Sequence, residues 1–338
     1  MGSLAKDIKL IHQKLYVQVY YRLADRLVIA PGTACEDRVM NILLSGGTGL
    51  IGRALCQHWL NEGHRLWVWS RSPGRVAQRC GQQVTGVGAL EDVSQIPFDA
   101  VVNLAGAPIA DRPWTGSRRA LLWNSRIGLT EELVEWFSRR EQKPAVLVSG
   151  SAVGWYGDGG ERPLSESDAP VTEDFASQLC GAWERAALRA EALGMRVVLV
   201  RTGLVLAPRG GFLQRLRPLF SLGLGGRQGS GRQWMPWIHL DDQIALIDFL
   251  LKQPDASGPY NACAPQPVRN ADFARAFARS LGRPAVLPVP ALALKLGLGE
   301  LSGLILGGQR AVPSRVQAAG FRFRFDSLDA ALADLRKT

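Results

Sequence analysis

ILLSGGTGLIG, residues 42–52, joins an apolar run to a glycine-rich turn and then to a stretch that suits a helix. Gly46, Gly49 and Gly52 stand three apart. That spacing fits a backbone that must turn tightly, admit an anionic group, and then let a helix pack close to its strand. A helix over 50–62, closed by Glu62-Gly63-His64, aims free N–H groups and the positive end of its dipole at the turn. Thr48, Leu50 and Ile51 fill the positions between the glycines and the first helical turn. Ile42-Leu43-Leu44 before the turn and an amphipathic segment after it complete the strand-turn-helix context that a dinucleotide diphosphate site requires.

The next strand indicates which dinucleotide. Arg65-Leu66-Trp67-Val68-Trp69 predicts strand, and in NAD sites that strand usually ends in an acid that grips the ribose 2′-hydroxyl. Here it ends in Ser70-Arg71-Ser72. A carboxylate would repel a 2′-phosphate, whereas a guanidinium bonds it bidentately and stacks on adenine, so NADP(H) is the expected cofactor. One charge-assisted hydrogen bond, about 1.5–3 kcal/mol, changes affinity roughly ten- to a hundredfold.

Composition excludes several classes. A chain of 338 residues, 46% hydrophobic, is long enough for one large domain plus an addition. The five cysteines (Cys35, Cys56, Cys80, Cys180, Cys263) are scattered and odd in number, which indicates neither a disulfide scaffold nor a metal site. No uncharged apolar run approaches the roughly eighteen residues of a bilayer span, and Lys14, Arg22, Asp25 and Arg26 interrupt any signal-peptide core. A cytoplasmic location with no membrane partner is expected. The net charge of +10 comes from arginines scattered among acids, without a basic helix, so no nucleic-acid partner is expected either; attraction of a polyanionic cofactor explains the charge more simply.

From Met40 onward short strand-like runs alternate with longer helical ones, which predicts an α/β fold with a Rossmann-type doubly wound parallel sheet and a smaller C-terminal substrate lobe. Strands are expected at 41–45, 65–69, 99–104, 145–149, 196–200 and near 259–262. Helices are expected at about 50–62, 117–140, 174–193, 241–252 and 270–281. Between 203 and 238 the pattern breaks into a Gly/Pro/Arg-rich loop, a length that commonly serves as a lid or a substrate wall. Residues 1–39 read as a leader or N-terminal extension, 40–285 as the nucleotide-binding domain with 203–238 as interleaved substrate lobe, and 286–338 as a small C-terminal domain.

ILLSGGTGLIG, FDAVVNLAGAPI, SRIGLT, VLVSGSAVGWYGD, RTGLVL, PWIHLDD and GPYNACAPQPVRN follow one another in an order that resembles an atypical branch of the extended short-chain dehydrogenase/reductase superfamily. This is the epimerase-family, NADP-binding oxidoreductase branch. The closing stretch LGELSGLILGGQRAVPSRVQAAGFRFRFDSLDAAL is similar to the small domain of unknown function that accompanies it. The resemblance covers residues 40–337. It implies that Leu104 and Ala105, with Gly106 at a strand's end, meet the cofactor's ribose and diphosphate, that Arg126 contacts the cofactor, and that Val205 meets its nicotinamide end.

Active extended members pair a Ser or Thr at the end of the fifth strand with Tyr-x-x-x-Lys on the next helix, the lysine lowering the phenol's pKa. Anchored on Glu184, this chain places Ala176 at the tyrosine position and Cys180 at the lysine position. The candidates to carry protons are therefore Ser151, at the serine position; Tyr156, the nearest phenol; and Cys180, if nearby charge activates its thiol. Arg209, Arg215, Arg217, Arg227 and Arg232 offer cationic groups to a diphosphate, and Trp234 to Trp237 an apolar wall. Two functions stay open: an NADP(H)-dependent oxidoreductase or epimerase on an unidentified small molecule, or a catalytically silent NADPH-binding sensor or partner-binding module.

Overall fold

Seven parallel strands form the central sheet of a computed structural model that describes residues 38–337. They are β1 (Asn41–Ser45), β2 (Arg65–Trp69), β3 (Thr85–Val87), β4 (Ala100–Asn103), β5 (Val146–Ala152), β6 (Arg196–Thr202) and β7 (Gly258–Ala262). Their spatial order is β7-β6-β5-β4-β1-β2-β3. Strand order reverses between β1 and β4, so loops leaving these strands diverge and open a crevice beyond their carboxyl ends. In register, Ser45 sits beside Trp69 on one side and Asn103 on the other.

The strands are apolar on both faces because helices cover both. Ile42, Leu44, Val102, Val148 and Val198 point into one core with α1 (Leu50–Asn61) and α6 (Leu240–Lys252); Leu43, Val101, Leu147 and Val197 point into the other. That second core is closed by Leu133, Val134, Trp136 and Phe137 of α3 (Leu129–Ser138) and by Ala187 of α4 (Phe175–Leu188). Each fully buried Val, Leu or Ile contributes roughly 1.5–3 kcal/mol, so this alternation is the main reason the sheet holds. Trp59, fully buried, also donates its indole N–H to Asp248 at 2.8 Å, pinning α1 to α6.

The predicted strands and helices appear close to their expected limits, with three differences. The helix expected over 117–140 is two helices, α2 (Gly116–Trp123) and α3, joined by a π-helical turn at Asn124–Gly128. The 203–238 region is not a plain loop: it holds a strand, Leu204–Leu206, and an eleven-residue helix, α5 (Gly211–Ser221), with Pro218 inside it. β3, three residues long, carries too few positions to show a period.

A third core joins Leu206, Leu213 and Phe220 to Phe273 and Phe277 of α7 (Asn270–Ser280). Phe325, Leu328 and Leu332 complete it, the last two on α9 (Leu328–Lys337). The 286–338 segment thus shares a core with 203–238. The leader expected at 1–39 lies, apart from Arg38 and Val39, outside the described residues.

Candidate functional site

At the crevice the chain turns through Gly46 with φ +73°, a conformation that favours glycine. A Cβ on Gly46 would stand 2.6 Å from the Leu104 carbonyl carbon, and one on Gly52 2.3 Å from the Gly46 oxygen. The first glycine therefore lets two loops meet, and the last lets α1 pack on its own turn. Gly47, which the triplet spacing passes over, is equally confined: a Cβ there would lie 2.6 Å from Val68 Cγ2. Cys80 braces the turn from below, its thiol donating to the Gly47 carbonyl at 3.3 Å. The N-cap of α1 is Gly49, which offers no side chain to the helix's free N–H groups, and no acid stands in the first turn. Those donors, at Leu50, Ile51 and Gly52, are left for an anion.

A buried chain of hydrogen bonds sets the neighbouring loop. Ser45 Oγ donates to Asn103 Oδ1 at 2.6 Å and accepts from the Ala105 N–H at 3.2 Å. Asn103 Nδ2 donates to Thr130 Oγ1 at 2.7 Å, and Thr130 donates to the Arg126 carbonyl at 2.6 Å. Strand ends and the π-helical turn are thus tied together, and Leu104, Ala105 and Gly106 are held against Gly46. Arg126 leans over Gly106, where a Cβ would come 2.9 Å from its Cζ. Its guanidinium donates to the carbonyls of Ala107 at 2.9 Å and Leu122 at 3.3 Å and to Ser125 Oγ at 3.5 Å. It has no carboxylate partner among the described residues, and burial holds its pKa below the usual arginine value. A part-buried cation without a counter-ion is costly unless an anion joins it.

Ser70 closes β2, its N–H donating to the Val87 carbonyl at 2.9 Å. Arg71 follows, exposed and without a hydrogen bond or ion pair among the described residues. Val205 lies half-buried in the strand Leu204–Leu206. It reaches the start of α1 through Gly211, where a Cβ would be 3.0 Å from Leu50 Cδ2 and 3.6 Å from the Val205 carbonyl oxygen. Arg215, on α5, donates to the Ala110 carbonyl at 2.7 Å, so the 203–238 segment bridges to the loop beyond β4. The structure collects Gly46, Thr48, Gly49, Leu50, Ile51 and Gly52, then Ser70 and Arg71, Leu104 to Gly106, and Arg126 and Val205 along this one edge.

The three proton-bearing candidates sit near the end of β5, in a network the sequence did not reveal. Ser151 Oγ donates to Glu184 Oε1 at 2.6 Å. Arg201 grips the same carboxylate through both oxygens, at 2.8 and 2.9 Å, and lies 3.6 Å from the Trp155 ring centroid. Burial alone would lower the Arg201 pKa, but the bonds and charge of Glu184 outweigh it and raise it. Arg201 also donates to the Tyr156 hydroxyl at 3.1 Å, which in turn reaches Asn261 Oδ1 and the Ser165 carbonyl, each at 2.9 Å.

This packing bears on two of the candidates. Tyr156 is fully buried with its hydroxyl committed, and burial pushes its pKa up to about 12. Cys180 is buried on α4, and burial, with the charge of Glu184 adding to it, pushes its thiol up to about 12 despite the nearby Arg126. Burial thus favours the protonated form of both groups. Ala176 and Cys180 both face Gly154, whose Cβ would lie 3.5 and 3.9 Å from them. His239, from PWIHLDD, accepts the Asp241 N–H at 3.1 Å and caps α6, a structural task. The Glu184–Arg201 pair has no periodic signature because its members lie seventeen residues apart on different elements.

Comparison with known proteins identifies the family and agrees with the fold. Residues 42–263 match the model of the NAD dependent epimerase/dehydratase family, and residues 289–335 match a domain of unknown function (DUF1731). The chain is 42% identical to the epimerase family protein Mb2239 of Mycobacterium bovis, over 86% of this chain and 96% of that one. It is 37% identical to the epimerase family protein YfhF of Bacillus subtilis, over 88% of this chain and 100% of that one. The crystal structure of human epimerase family protein SDR39U1 (isoform 2) with NADPH superposes with a TM-score of 0.80 at 32% identity, covering 88% of this chain and 99% of that one.

Proposed function

Because this chain belongs to the NAD dependent epimerase/dehydratase family, as an atypical short-chain dehydrogenase/reductase with a DUF1731 segment, we propose that it binds NADP(H) and acts as an oxidoreductase or epimerase on a small molecule. The observation that carries the cofactor reading is the pairing of an uncapped helix N-terminus at Gly49–Gly52 with Arg126, a part-buried cation lacking a carboxylate. Helix donors and guanidinium together would hold the diphosphate, and Leu104, Ala105 and Gly106 would pass close beneath it. Arg71 would hold the 2′-phosphate and Ser70 the same end of the molecule; Val205 would border the nicotinamide end. The SDR39U1 structure carries NADPH, which supports the same choice here. Once bound, the cofactor would supply hydride transfer.

The protein's own contribution to chemistry centres on Ser151. Its hydroxyl proton points to Glu184, a carboxylate that Arg201 keeps in place, so its oxygen is oriented to accept a hydrogen bond from a substrate hydroxyl. In this reading Ala176 and Cys180 stand where active extended short-chain dehydrogenases/reductases carry the Tyr and Lys of the acid/base pair, and Ser151 orients substrate rather than replacing that pair. The same observation favours a second reading, in which the protein binds NADPH as a sensor or for a partner and turns nothing over. A cytoplasmic site of action fits the four described cysteines, all buried free thiols.

Fluorescence titration with NADPH and NADH tests the cofactor. Arg71→Asp is expected to lower NADPH affinity roughly ten- to a hundredfold while leaving NADH nearly unchanged; an unchanged ratio removes Arg71 from the role. NADPH oxidation over a panel of carbonyl substrates, repeated with Ser151→Ala, separates the two functions. Turnover that falls in the variant supports the enzyme; tight binding without turnover on any substrate supports the sensor.

A further inference from the structure

One face of the molecule combines protruding apolar side chains with cations. Leu219, Leu222, Leu224, Val286, Leu292 and Leu296 are all exposed, Leu222 at 73% and Leu296 at 80%. They belong to one surface. The turn after α5 and the segment before α8 (Ala291–Leu298) run side by side, with Leu287 N–H donating to the Gly225 carbonyl at 3.3 Å and Val289 N–H to the Arg227 carbonyl at 2.8 Å. α5 presents Leu213 and Phe220 inward, while Arg215, Leu219 and Leu222 form an i, i+4, i+7 stripe outward. α8, of sequence ALALKLGL, buries none of its residues, and Leu292 and Leu296 share its outer face.

The segments that build this surface are rich in cations. Residues 203–240 and 281–299 contain seven cations, among them Arg215, Arg217, Arg283 and Lys295, and no Asp or Glu. None of the seven forms an ion pair among the described residues. A partner must therefore be anionic and must receive leucines that stand out from the surface. A second copy of this chain is a poor occupant, because a two-fold contact would press Arg283 and Lys295 of one copy against those of the other. A protein partner would have to offer pockets shaped to these side chains. A fluid bilayer takes leucines without shape matching, and an anionic leaflet attracts the rim. No helix among the described residues is long and apolar enough to cross a membrane, so the contact would lie on the surface.

We propose that the face formed by the end of α5, residues 284–289 and α8 docks peripherally on an anionic phospholipid surface. Each cation close to such a leaflet strengthens binding roughly fivefold, and the attraction is screened by salt. Co-sedimentation of the full chain with phosphatidylcholine vesicles, with and without phosphatidylglycerol, tests this. Binding to the anionic vesicles only, weakened by added salt, is expected. The double variant Leu222→Asp/Leu296→Asp is expected to lose at least about tenfold in partition, since each leucine adds roughly ten- to a hundredfold on burial. Arg283→Gln/Lys295→Gln is expected to lose about tenfold or more. Both variants should keep the parent's melting temperature and NADPH affinity, because these side chains are exposed and belong neither to the crevice nor to a core. No binding to vesicles overturns the proposal, as does equal binding to neutral ones. Light scattering that finds a dimer split by the leucine variant assigns the face to self-association and likewise overturns it.

Discussion

Tyr156 shows how one side chain's surroundings decide its chemistry. The sequence presents a phenol five residues beyond Ser151, a reasonable proton donor by proximity. Packing turns it inward, commits its hydroxyl to Arg201, Asn261 and Ser165, and raises its pKa from 10.0 to about 12. Folding thus favours the protonated phenol. Its stabilising contribution is fully present below pH 10 and is lost as pH rises through about 12. Urea unfolding followed across that window should show the native state weakening, and Tyr156→Phe should flatten this alkaline dependence. An equal slope in the variant would mean that another group titrates there. The turn at Gly46 and Gly52, by contrast, was legible one residue at a time, because a positive φ and a close backbone approach are local properties.

Elements were legible where their period was clean. β1, β2 and β4 to β7 are short apolar runs bounded by turn residues, and α1 and α6 carry regular inward stripes. α5 was missed because Pro218 sits inside it, glycines flank it, and its outward Leu219 and Leu222 blur the stripe made by Leu213 and Phe220. The contact between α4 and β6 was hidden for a different reason: Glu184 and Arg201 look like ordinary surface charges until the two elements meet. Their bidentate bond closes the end of β5, so Glu184→Ala leaves a buried guanidinium without its partner. A loss of about 3–5 kcal/mol in denaturant unfolding is expected. Ser151→Ala removes one hydrogen bond to a charged group and should cost about 1.5–3 kcal/mol. Equal and small effects would show the network to be solvated and its orienting role weak.

At the scale of the whole molecule, the C-terminal segment is part of the main body's packing. Phe325, Leu328 and Leu332 close over Phe273 and Phe277, and Asp242 accepts the N–H groups of Arg324 and Phe325 at 2.8 and 3.0 Å. Deleting residues 286–338 should therefore expose that core and abolish cooperative unfolding, readable as loss of a calorimetric transition. A truncated chain that melts sharply would make 40–285 an independent domain. Taken by itself, the sequence determined the doubly wound sheet, the glycine turn and the carboxylate-free end of β2, because strand alternation, glycine's freedom at positive φ and a missing acid are all read from near neighbours. Only the tertiary structure decided which thiol and phenol are buried, that Arg126 lacks a carboxylate partner among the described residues, and that exposed leucines and cations gather on one face. These outcomes depend on side chains that meet across the fold, seventeen residues apart for Glu184 and Arg201 and 105 for Tyr156 and Asn261, and no local pattern encodes such meetings.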